Sequence, residues 1–308
     1  MGDINPILLL ASLMVASTPI LFAALGELIV ERAGVLNLGV EGMMITGAVV
    51  GFAAGVGFGS ATMGFIAAAL AGAALSLIFG VLTQYLLSNQ VATGLALTLF
   101  GLGLASLIGQ SYVGIRAPAT VRLDIPLLSD LPVLGRILFR HDFLVYLGLG
   151  MVAAVWYFLN RTRAGLILKA VGENHEAAHA LGYKVVRIRL AAIAFGGAMA
   201  GLGGAYLSII RVPQWTEGLT AGAGWIALAI VVFASWRPIR LLVGAYLFGG
   251  ITVLQLNLQA AGARVPVEIL SMSPYLVTII VLVILSAGRG GAALGAPGSL
   301  GRSFHASR

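Results

Sequence analysis

Glu41 is a carboxylate in the wrong surroundings, and that makes it the first residue to ask chemistry of. It stands inside the apolar run GVLNLGVEGMMITGAVVGFAAG over residues 34–55, where a carboxyl group costs about 2.5–3.5 kcal/mol on insertion scales and needs compensation from inside a helix bundle. Asn37 lies one helical turn earlier, so on a helix both polar groups share a face. Gly34, Gly39 and Gly42 leave room there for a ligand or for unwound backbone. Asn37 and Glu41 could hydrogen-bond the hydroxyls or ring nitrogens of a small molecule, or could simply tie helices together. Trp225 and Phe233 are candidate stacking surfaces on such a path, with plain packing as the alternative for each. A proton relay would want deep carboxylates in several spans, and Glu41 is the one deep carboxylate; Glu27 and Glu31 sit in the lead-in beside Arg32.

Recognition of a protein partner is the second chemistry on offer. Both lysines fall in the basic stretch 161–189, RTRAGLILKAVGENHEAAHALGYKVVRIR, which long apolar runs flank on either side. Asn174 is a good N-cap, Glu176 puts negative charge in the first turn, and Gly182 can end a helix in a left-handed conformation. About two turns lie between them, roughly 10 Å of helix. Ala177, Ala178 and Leu181 are expected to share one face, suited to a groove in another protein. His175 and His179 stand at i, i+4, yet no catalytic context accompanies them and no metal site is expected. No GxxxxGK[ST] phosphate loop occurs, so the chain is not expected to bind ATP by that mechanism. GLGG at 201–204 follows no strand and reads as helix packing.

These residues have to be positioned by a membrane domain. Of 308 residues 59% are hydrophobic and 9% charged, against about a quarter charged in soluble proteins. The absence of cysteine excludes disulfides and thiol catalysis. Apolar runs near 7–28, 34–54, 61–87, 91–110, 143–159, 190–210, 219–236, 239–258 and 274–287 are each candidate spans. If all cross, twelve of the eighteen Lys and Arg residues share the side of the 161–189 loop, which places that loop and the C-terminus in the cytoplasm. Gly47, Gly51 and Gly55, and again Gly197 and Gly201, are spaced for close helix approach. Trp215 and Trp236 suit interfacial anchoring. The expected fold is thus an all-α polytopic membrane protein of about 8–10 transmembrane helices over residues 1–288, with residues 289–308 a disordered cytoplasmic tail.

Two motifs, GELIVERAGVLNLGVEGMMITGA at 26–48 and AVGENHEAAHALGYKV at 170–185, resemble the permease subunits of bacterial ATP-binding-cassette importers, in the branch that carries nucleosides and simple sugars. The resemblance covers nearly the whole chain. It implies a type II importer-like permease in the bacterial inner membrane, with Glu173, Asn174, Glu176, Ala177, Ala178, Leu181 and Gly182 forming a coupling helix that docks on a separate ATPase subunit. It further implies that ATP is hydrolysed by that partner, that this chain binds no cofactor, and that a second, different permease chain and an extracytoplasmic binding protein complete the system. Branched-chain amino-acid permeases share the resemblance more distantly. An ion-coupled secondary transporter using Glu41 is the reading from a different class.

Overall fold

Apolar runs offer the backbone no water, so its polar groups must pair within the segment, which favours helix. The computed structural model describes residues 6–120, 122–124, 134–260 and 295–305, with single positions at 266, 269, 272, 276, 279, 280 and 283. In chain order the helices are α1 (Pro6–Arg32), α2 (Val40–Phe58), α3 (Ala61–Gln84), α4 (Gln90–Gly109), α5 (Leu134–Leu138), α6 (Phe143–Arg161), α7 (Arg163–Glu173), α8 (His175–Ala180), α9 (Val185–Tyr206), α10 (Ala223–Phe233) and α11 (Pro238–Ala260). Among the described residues seven of these, α1 to α4, α6, α9 and α11, are long and apolar enough to cross a membrane. Strands β1 (Arg122–Asp124) and β2 (Arg140–Asp142) form a small antiparallel pair before α6. Asp142 closes that connection: its Oδ1 accepts from Leu144 and Val145 N–H and its Oδ2 from the Tyr206 hydroxyl.

The core is built around α9, which packs on α1, α2 and α3. Small residues permit it. A Cβ on Gly51 would sit 2.9 Å from the Gly64 carbonyl oxygen, and one on Gly42 would sit 2.5 Å from that of Leu97, so α2 touches α3 and α4 backbone to backbone. Gly47 meets Gly201 in the same way, whereas Gly55 has only ordinary contact with Pro118. Trp215 and Trp236, expected at the interface, are both buried, at 3% and 5% exposure.

The expected span at 219–236 is helical over little more than half its length. After α9 the helix widens into a π-turn, Leu207–Arg211. The chain then runs without helix to Ala223, and α10 has 11 residues, roughly 16 Å, about half a bilayer. Gly218, Ala221 and Gly222 adopt φ of 69°, 45° and 84°, and these left-handed residues prevent the helix from starting earlier. The expected span at 274–287 lies almost wholly outside the described residues.

One end of the bundle gathers the 33–39 junction, the α7–α8 loop and residues 234–237. Gly301 N–H bonds the Gly34 carbonyl, Ser299 N–H that of Gly172, and Arg32 that of Trp236. Lys169, Lys184, Arg187, Arg237 and Arg240 cluster toward this end, the charge bias expected of a cytoplasmic face. The tail was expected to be disordered after Gly288; over 295–305 it instead packs on this end, because Ser299 and Phe304 find buried partners there. Residues 289–294 and 306–308 lie outside the described residues.

Candidate functional site

Between α1 and α2 the backbone is unwound over residues 33–39, and side chains of α1, α4 and α9 meet several of its polar groups. Leu36 N–H donates to Gln90 Oε1 at 2.8 Å, and Asn37 N–H to Glu27 Oε1 at 3.3 Å. The carbonyls of Ala33 and Leu38 accept from Arg189 Nε at 3.1 Å and Thr98 Oγ1 at 3.1 Å. Gly34, at φ 83°, makes the turn, and its missing side chain leaves space for the Arg189 guanidinium. Asn37 turns back on its own chain: Oδ1 accepts from Gly39 N–H at 2.9 Å and Nδ2 faces the Met43 sulfur.

Glu41 follows in the first turn of α2 and caps the broken segment. Its Oε1 accepts from the Thr220 hydroxyl and from Gly222 N–H at 3.0 Å, and its Oε2 from Gly224 N–H at 2.7 Å. The first turn of α10 thus receives a negative charge where its free N–H groups and dipole favour one. At the other end of α10, Ser235 and Trp236 are left-handed, and the Trp236 indole donates to Glu31 Oε2. Carboxylates of α2 and α1 therefore grip both ends of one short helix.

The basic loop forms the helix expected of it. Asn174 Oδ1 accepts from Ala177 N–H at 2.9 Å, and Gly182 ends the turn at φ 87°. The faces differ from expectation. Ala178 is buried with Val171, Val185 and Phe304, while Ala177 is exposed and Leu181 is 77% exposed. One residue step is about 100° on a helix, and the boundary between inside and outside falls between 177 and 178. The open face carries Glu173, Glu176, Ala177, Ala180 and Leu181.

Beneath α8 lies Arg189, fully buried. Its guanidinium donates to the Ala33 carbonyl, to Gln84 Oε1 at 3.4 Å, to the Arg302 carbonyl at 3.1 Å and to His175 Nδ1 at 3.1 Å. Phe304 stands edge-on to both His175 and His179, ring centroids 5.3 and 5.2 Å away. Burial first, then the charges of Arg189 and Arg302, lower the His175 pKa from 6.5, with Glu176 opposing. A histidine depressed in the docked state favours docking while neutral. That contribution is complete above 6.5 and is lost as pH falls through the lowered value. Amide hydrogen exchange of residues 295–305 is therefore expected to accelerate on acidification below 6.5, relative to intrinsic rates; an unchanged ratio would refute this.

The four residues named for a substrate path do not form one site. Glu41 and Trp225 lie near each other through Gly224; Asn37 serves the α1–α2 junction; and Phe233 packs on Gly244, two turns further along α10. Sequence reasoning missed Gln90, Arg189, Thr220 and Phe304. The signal for Arg189 was its place ahead of an unbroken apolar run, already one turn inside α9. Gln90 Nε2 is buried without a partner among the described residues.

A family model described as branched-chain amino acid transport system / permease component matches residues 9–286. The TsgC13 permease protein of Haloferax volcanii, which carries a provisional glucose ABC transporter name, is 43% identical over 89% of this chain and 90% of its own. The nucleoside ABC transporter permease protein NupC of Lactococcus lactis subsp. cremoris is 33% identical, covering 90% and 92%. The guanosine ABC transporter permease protein NupQ of Bacillus subtilis is 31% identical, covering 87% and 89%. No solved structure matches the chain.

Proposed function

The chain belongs to the family of branched-chain amino acid transport system permease components, and on that premise we propose that this multi-pass membrane protein forms the path of an ATP-binding-cassette importer for nucleosides or simple sugars. The cargo class follows the names of the relatives above. The observation that carries the coupling half of the reading is α8: a short helix capped by Asn174, fixed from behind by the tail, with Ala177, Ala180 and Leu181 turned outward at the basic end. An ATPase subunit docks on that face and hydrolyses the ATP; this chain itself holds no cofactor. A second, different permease chain and an extracytoplasmic binding protein complete the importer.

Two alternatives lose ground on the geometry of Glu41. A broken helix can receive a substrate carboxylate at its N-terminus, but in α10 that position is taken by Glu41, which disfavours amino acids as cargo. Ion coupling needs a carboxylate free to change partners, and Glu41 already accepts three hydrogen bonds.

Proteoliposomes containing the complete importer, with binding protein outside and ATP inside, are expected to accumulate labelled nucleoside or monosaccharide and to leave labelled leucine outside. Uptake by this chain alone under an ion gradient would overturn the proposal. In the same assay Leu181→Asp is expected to cut uptake at least tenfold with the protein still folded, since it charges only the open face. Ala178→Asp should instead lower the thermal stability, because it places a charge among Val171, Val185 and Phe304. Wild-type uptake by Leu181→Asp would sink the docking assignment.

A further inference from the structure

A surface that faces lipid has to be apolar and regular, because hydrocarbon pairs with neither exposed backbone nor charge. The outer face of α3 obeys this, presenting Met63, Ile66, Leu70 and Leu77. A second face does not. The 20 residues of α4 make a ruler roughly 30 Å long. Ser106 lies near its outer end and donates to Glu217 Oε1 at 2.8 Å, while Leu97 and Thr98, near its middle, are where Gly42 packs. Gly224 in turn lies against Glu41, the neighbour of Gly42. The non-helical residues 217–222 therefore descend from the outer end of α4 to its middle, deep in what would be hydrocarbon.

Over that descent the chain is open. Thr216, Glu217, Gly218 and Ala221 are exposed, and Trp225 is 38% exposed. Leu95, Leu99 and Leu102 continue the same face along α4 in line with Ser106. Irregular backbone at this depth is tolerated only where it lines water or meets protein.

We infer that this face is one wall of a water-filled substrate path, closed on its far side by a second permease chain, and that Glu217 and Trp225 contact the cargo within it. The inference rests on the importer reading above and extends it to named contacts. Ser106 holds Glu217 Oε1, so Oε2 is presented to a cargo hydroxyl, and the Trp225 ring offers an apolar face for a base or a sugar ring. A neutral ring bearing several hydroxyls is the chemistry that fits; a substrate carboxylate would meet Glu217 as a like charge.

The chain has no cysteine, so a single introduced thiol reports its own surroundings. The complete importer carrying Thr216→Cys, and separately Leu70→Cys, is treated with a charged, water-soluble thiosulfonate, and modification of this chain is followed by mass. Thr216→Cys is expected to react at least tenfold faster than Leu70→Cys, and to be slowed by whichever of guanosine and glucose the importer takes up. Equal rates, or labelling indifferent to the transported cargo, would overturn the assignment. If the wild-type importer moved neither cargo, the functional reading would fail, while the labelling contrast would still decide which face is wet. Glu217→Gln gives a second readout: KM for the cargo is expected to rise at least tenfold at unchanged protein level, and an unaltered KM would remove Glu217 from the path.

Discussion

Arg189→Gln is expected to leave an importer that hydrolyses ATP but takes up less than a tenth of the wild-type cargo. Four acceptors from four segments converge on this guanidinium: the α1–α2 junction, the end of α3, the tail, and α8 through His175. One route from α8 to the junction at Ala33 runs through His175 and this side chain. Glutamine is too short and has too few donors to hold all four. Each buried acceptor left without its donor costs about 1–3 kcal/mol, so Tm is expected to fall as well. Arg189→Lys should not rescue uptake, since a single ammonium cannot reproduce the planar fork. Uptake and ATP hydrolysis measured together decide the matter: wild-type uptake by Arg189→Gln would end the claim that motion passes through this residue.

Glu41→Ala carries the second large expected effect. It removes three hydrogen bonds to a carboxylate, each of about 1.5–3 kcal/mol, and leaves the first N–H groups of α10 without acceptors in a buried place. The start of α10 should fray, with Tm lowered and uptake cut at least tenfold. Glu41→Gln keeps one oxygen for Thr220 and Gly222 but turns an amide N–H₂ toward Gly224, so it should fall between the two. Tm and uptake moving together support a capping role. A change of cargo preference at unchanged Tm would make Glu41 a substrate contact instead.

Some of this was legible in the residues. The ends of α8 could be placed from Asn174 and Gly182, because caps depend on local chemistry. Which side of α8 faces out could not, since that is set by Phe304, more than a hundred residues away. The break before α10 was hidden for a related reason: residues 219–236 are apolar but for Thr220 and Ser235, and hydropathy measures whether a run dissolves in lipid without saying whether it is helical. Asn37 and Glu41 were paired by assuming one continuous helix, whereas Asn37 stands in the unwound stretch ahead of it. The tail misled by its composition. Glycine, Pro297 and scattered arginine suggest disorder, yet Ser299 and Phe304 are enough to seat it once a groove exists.

That seating has a bearing on how the protein is made. Residues 295–305 leave the ribosome after every described span, and until they do, Arg189 lacks one acceptor and Ala178, His175 and His179 lack the ring that covers them. A nascent or truncated chain would present an unfinished docking platform. Deleting residues 295–305 is therefore expected to leave α8 without the ring that backs it, and to weaken docking of the ATPase proposed above.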